Sequence, residues 1–147
     1  MLGVFLDTET SGLNPHKHSI LEVAYKIVDV ESGEIKASYE AIVAQSKMNW
    51  ERADPNSLLV NGFTWEKVSS GISPEKISGH IITSFARSGV RRNEAIFICQ
   101  NPSFDRAFFA QLVDHDLQES LGWPYHWLDL ASMYWAIKIK QDAAPWE

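Results

Sequence analysis

Positive charge is scarce in this sequence: thirteen Lys and Arg stand against nineteen Asp and Glu over 147 residues, a net charge of −6. Such a chain does not hold nucleic acid by bulk attraction, though it can meet phosphates through bound divalent cations. Cysteine is nearly absent. Cys99 alone rules out an internal disulfide framework, and its place in the apolar run IFIC argues for a reducing, intracellular home. No run approaches the ~20 apolar residues of a membrane span. The opening MLGVFLDTET lacks both the basic region and the small-residue cleavage site of a signal peptide. Repeats and linkers are missing too. What remains, 45% hydrophobic and 22% charged, is the composition of one globular, cytoplasmic domain, long enough to bury a core without staples.

The pattern of elements is that of an α/β domain. Residues 2–7, LGVFLD, read as a first strand; residues 20–30, ILEVAYKIVDV, as a second; and IKASYEAIV, beyond the Glu31-Ser32-Gly33 turn, as a third that pairs antiparallel with it. Residues 46–72 look irregular, with a helix start at Asp54-Pro55-Asn56. Ser73-Pro74 opens a helix reaching about Arg87, with Ile77, Ile81, Ile82 and Phe85 on its buried face. The continuous run AIFIC, residues 95–99, has the mark of a strand covered on both faces. Phe104, Phe108, Leu112 and His115 then recur at helical spacing over residues 103–115, Trp127-Leu128 forms a short last strand, and an amphipathic stretch runs from Leu130 to about Ile139. Together these predict a mixed sheet with three antiparallel strands first.

Asp7-Thr8-Glu9 is the sharpest chemical feature. Strand alternation points residues i and i+2 to the same face, so two carboxylates project side by side. A hard divalent cation with oxygen ligands relieves their repulsion; two solvated acids at a strand end are the plainer alternative. The surrounding string FLDTETSGL, with ILEVAYKIVD after it, resembles the first motif of the DEDD family of 3′–5′ exonucleases, which includes the proofreading subunit of bacterial replicative polymerase, ribonuclease T and oligoribonuclease. ICQNPSFDRAFF resembles the second motif, and LLVNGFTWEKV the intervening segment that lines the substrate cleft.

The resemblance spans essentially the whole chain and implies a ribonuclease H-like fold, a mixed five-stranded sheet with helices on both faces. It implies Asp7, Glu9 and Asp105 as ligands of two Mg²⁺ or Mn²⁺ ions in a catalytic site that hydrolyses single-stranded DNA or RNA from the 3′ end. Asp7 would bridge the ions, with Glu9 and Asp105 holding one each. Asp105 read alone is equally a first-turn acid favoured by a helix dipole. Thr10, Leu13, Phe63 and Asn101 are the substrate-binding positions: Leu13 would wedge against the 3′-terminal base, and Phe63 with Trp65 would wall or stack it. Asn101 would bind the terminal sugar or fix its own loop.

One family feature is missing. The third motif is His-x4-Asp, supplying the general base and fourth carboxylate, or Tyr-x3-Asp in another branch. None of the five His has Asp at that spacing, while Tyr-x3-Asp occurs at Tyr25/Asp29 and Tyr125/Asp129. YHWLDLASMYWA resembles the segment upstream of the third motif, which places the motif after residue 147 and leaves His115 and His126 without a catalytic match. The expectation is therefore an exonuclease domain over residues 1–147 that is C-terminally incomplete. Its rival is an exonuclease-fold domain without catalysis, bound to a polymerase or another nucleic-acid machine. A missing helix would expose an apolar patch, for which Trp123, Trp127, Trp135 and Trp146 are candidates.

Overall fold

Alternation in the first strand sets the architecture. In β1 (Leu2–Thr10), Val4, Leu6, Thr8 and Thr10 are buried, while Phe5 and Asp7 are exposed and Glu9 half-buried. The structure, a computed structural model, describes residues 1–141. Among them β1 runs past its expected end at Asp7, because Thr8, Glu9 and Thr10 still pair with Val23, Glu22 and Ile20 of β2 (Ile20–Asp29). Asp29 Oδ1 then accepts the Glu31 and Ser32 amides at 3.0 and 3.1 Å, turning the chain into β3 (Ile35–Ile42), antiparallel to β2.

The segment expected to be irregular holds three short helices: α1 (Lys47–Glu51), α2 (Pro55–Asn61) and α3 (Trp65–Ser69), capped by the side chains of Ser46, Asp54 and Thr64. Between them they bury only Val68, so no apolar stripe announces them. Gly62 ends α2 at φ 72°, a left-handed conformation that accounts for the glycine of NGFTW. As expected, α4 (Pro74–Ser88) takes Ser73 as cap and buries Ile77, Ile81 and Phe85; Ile82 sits half-buried at the rim.

β4 (Ala95–Cys99) lies parallel to β1. The single helix expected over 103–115 is instead two. α5 (Pro102–Phe109) stops at Ala110, and α6 (His115–Ser120) restarts under an Asp114 cap. The turn between them buries Leu112 and Val113, which satisfies the helical spacing without a continuous helix. β5 (Trp127–Asp129) pairs parallel to β4, giving the expected five-stranded mixed sheet in the order β3-β2-β1-β4-β5.

One face of this sheet carries the core. Phe85, Phe97, Phe109 and Trp123 pack there, with Phe85 and Trp123 centroids 4.6 Å apart and Trp127 stacked on Phe97 at 4.0 Å. Each such aromatic contributes about 1.5–3 kcal/mol of burial. Trp123 is thus core and no part of an exposed patch; Trp146 lies outside the described residues. On the other face, Phe5, Ala24, Lys26, Ser38, Ile98 and Leu130 border an open trough of about 680 Å³. The final helix, α7 (Leu130–Lys140), was expected to be amphipathic but buries none of its residues: Leu130, Met133, Tyr134, Ile137 and Ile139 are all exposed.

Candidate active site

The site forms where β4 gives out beside β1. Pairing between them ends at Phe5 with Ile98, so farther along β1 a backbone amide needs another partner. Asp105, in the first turn of α5, provides it. Its Oδ1 accepts the Thr8 amide at 3.1 Å and the Thr8 hydroxyl at 2.8 Å. The carboxylate is buried, 5% exposed, and is carried by Phe108 and Phe109, which anchor α5 in the core. This places Asp105 at the carboxyl ends of two parallel strands, where open α/β sheets bind ligands.

Asp7 and Glu9 project from β1 on either side of Thr8. Their register partners are Ala24 and Glu22, and a bulge follows at Glu9/Thr10. Glu9 is held above the ordinary carboxylate range by burial and then by the charges of Asp7, Glu22 and Asp105. Burial also raises Asp105, as does Asp7, against the lowering effect of the Thr8 hydrogen bonds. These mutual effects place the three acids within one electrostatic neighbourhood. Neighbouring carboxylates are a donor set that suits a hard divalent cation. Still, among the described residues no group of three or more His, Cys, Asp or Glu is arranged to hold a metal ion. The donors fit in chemistry, and the cage is unclosed.

The other expected site residues divide. Leu13 is 76% exposed and sits beside Glu9, Asp54, Val60 and Asn61 around a concavity of about 330 Å³. Thr10 is buried, and its hydroxyl is spent on the Gly12 carbonyl at 2.7 Å, so it shapes the loop. A Cβ at Gly12 would run into the His18 ring, which explains the glycine before Leu13. Asn101 fixes its own loop: its Oδ1 accepts the Ser103 hydroxyl at 2.8 Å and its carbonyl accepts the Phe104 and Asp105 amides. Phe63 is half-buried, with the Lys67 ammonium 5.6 Å from its ring centroid.

Neither Tyr-x3-Asp pair forms a site. Tyr25 packs edge-on to Phe85 at 5.2 Å while Asp29 caps a turn; Tyr125 lies under Arg92 and Asp129 caps α7. His115 and His126 are exposed. The Cys99 thiol, pushed up to about 12 by burial and by Asp105 and Asp7, is inert at neutral pH.

Three residues escaped the sequence reading. Thr8, inside the DTE motif, is the anchor of Asp105. Glu22 faces Glu9 across the ladder, a placement readable from ILEVA only once the strand register is known. Gln111 accepts the Ile20 amide at 2.8 Å and donates to the Pro15 and His18 carbonyls at 3.0 and 2.9 Å, pinning the loop that carries Leu13. Nothing in its local sequence marks it.

Comparison with known proteins bears out the resemblance to DEDD-type exonucleases. The chain is similar to ribonuclease T of Actinobacillus pleuropneumoniae serotype 5b (strain L20), 27% identical over 111 residues, which is 73% of this chain and 51% of that protein. Among solved structures, E. coli exonuclease I in complex with a dT13 oligonucleotide superposes with TM-score 0.74 at 16% identity, over 92% of this chain and 29% of that one. Exonuclease I from Methylocaldum szegediense gives 0.75 at 16%, over 93% and 29%. The chain therefore spans about half of the curated relative and under a third of these nucleases. At such identity the structural likeness shows the fold. No family model matches.

Proposed function

We propose that this chain is a 3′–5′ exonuclease module for single-stranded DNA or RNA ends, releasing nucleoside 5′-monophosphates. One observation carries the reading: Asp7 and Glu9 leave one face of β1 two residues apart while Asp105 is delivered to the same stretch of strand through Thr8. Bound Mg²⁺ or Mn²⁺ ions would supply a hydroxide nucleophile and neutralise the leaving oxygen. Asp7, Glu9 and Asp105 would hold these ions. Burial of Asp105 and its two Thr8 hydrogen bonds hold that ligand in place before substrate arrives. Leu13 borders the concavity beside Glu9, and Leu13 and Phe63 would provide apolar surface for the terminal base.

A general base is not among these residues. No His in the chain has Asp at the family spacing. The single buried thiol fits a cytoplasmic setting.

The unclosed cage favours a second reading, a binding domain of exonuclease fold that works beside a polymerase or another nucleic-acid machine. Digestion of 5′-labelled single-stranded DNA and matched RNA with Mg²⁺ or Mn²⁺ separates the two. A ladder shortening from the 3′ end that vanishes in Asp7→Ala supports the nuclease. Binding of both oligonucleotides without cleavage, unchanged in Asp7→Ala, supports the second reading.

A further inference from the structure

Two lysines on the helices following β3 stand outside the ion pairs. Among the described residues those pairs join Glu31 to the N-terminus, Lys36 to Glu34, Arg91 to Glu94 and Arg92 to Glu119. Lys47 and Lys67 lie instead over aromatic rings: Lys47 Nζ is 4.5 Å from the Trp65 ring centroid and Lys67 Nζ 5.6 Å from that of Phe63. Trp65 in turn lies beside Trp50, centroids 6.4 Å apart and planes tilted by 45°. Both indoles are half-buried, so each keeps part of its surface in solvent. These are two cations on aromatic faces, with Glu51 and Glu66 in the same helices.

The platform is tied to the catalytic strand. Asn61 Nδ2 donates to the Thr10 carbonyl at 2.9 Å, and the Asp54 amide donates to the Ser11 carbonyl at 2.7 Å. Glu22, the register partner of Glu9, is raised by burial and by the charges of Glu40 and Asp7, with Lys67 opposing them. Along the chain from Asn61, which shares the concavity with Leu13, come Phe63 with Lys67 and then Trp65 with Lys47 and Trp50.

We infer that Trp50, Trp65 and Lys47 form a second nucleotide station that holds bases on the 5′ side of the terminal one. Indole faces that Lys47 leaves open accept any base by stacking, and the ammonium seated over the Trp65 ring meets the phosphate that follows. Glu51, Asp54 and Glu66 in the same segment oppose a polyanion, so the hold on a strand here comes from stacking and from Lys47. The inference rests on the nuclease reading in one respect: it takes the 3′ end to lie at Asp7 and Glu9.

The test is equilibrium binding of oligothymidylate and oligouridylate of two to twelve nucleotides, in EDTA to prevent cleavage, followed by quenching of tryptophan fluorescence and by anisotropy of a labelled strand. Trp50→Leu is expected to weaken octamer binding about tenfold and to leave the dinucleotide unchanged. Lys47→Glu, an exposed position with no structural hydrogen bond, lowers the slope of log affinity against log salt by about 0.7 for each phosphate that the lysine had neutralised. A wild-type affinity that does not rise from dinucleotide to octamer, or both variants binding the octamer as wild type with an unaltered salt slope, overturns the station while the nuclease reading stands. Loss of dinucleotide binding in a folded Trp50→Leu, shown by circular dichroism, also overturns it. Wild-type protein that binds no strand of any length in EDTA overturns the station, while the nuclease reading is decided separately by the digestion with Mg²⁺ or Mn²⁺.

Discussion

At the scale of single residues the site is a set of charges held against their preference. Asp105 keeps a raised carboxyl because burial and Asp7 outweigh what Thr8 returns. A group raised in the folded state contributes stability that is present below its unfolded pKa and is lost as pH rises through the folded one. In metal-free buffer, Asp105→Asn keeps an oxygen for both Thr8 donors and drops the charge. It should melt a few degrees higher than wild type at pH 7, corresponding to roughly 1 kcal/mol, with the difference closing as pH falls below the ordinary carboxylate range. Calorimetry from pH 3 to 7 checks both sign and window, and the same variant should lose metal-dependent activity. Thr8→Val tests the other partner. Removing a buried hydroxyl that donates to a carboxylate costs about 1.5–3 kcal/mol, to be read from urea denaturation.

The elements show how little of the surroundings of β1 is local. β1 reaches Thr10 because β2 pairs with it, and its loop holds shape because Gln111, far along the chain, supplies three hydrogen bonds. Gln111→Ala should cost about 1–3 kcal/mol through the backbone groups it strands. It should also speed amide exchange at Ile20 while leaving the β2–β3 turn protected. The short helices behave differently. α2 owes its start to Asp54, whose side chain accepts the Asn56 amide at 2.9 Å. Asp54→Ala should therefore cost about 1 kcal/mol and weaken binding of single strands, because α2 carries Asn61 and Val60 to the concavity beside Glu9.

For the whole molecule, the telling feature is asymmetry between the two faces of the sheet. α4 and α5 press Phe85, Phe97 and Phe109 into one core, while Phe5, Ile98 and Leu130 border an open trough on the other face and α7 presents Met133, Ile137 and Ile139 to solvent. Exposed apolar surface of this kind drives association. Residues 1–147 should bind a hydrophobic dye and sediment with a concentration-dependent mass, and the double substitution Phe5→Lys, Ile137→Lys should reduce both. A monodisperse monomer that excludes dye at high concentration would refute it.

Local chemistry alone determined a good part of this protein. Alternating strands, the Ser73-Pro74 and Asp54-Pro55 caps and the spacing of Asp7 and Glu9 are written within a few residues, and the sheet of β1 to β5 follows from them. Tertiary structure decided the rest. It split the helix expected at 103–115, because Leu112 and Val113 reach the core better from a turn than from a continued helix. It made three capped helices of a segment with no apolar stripe, and left α7 uncovered despite its apolar side chains. Above all it set Asp105 against Thr8 and Glu22 opposite Glu9, since hydrogen-bonding partners and like charges distant in sequence meet only when strand register and helix position bring them together.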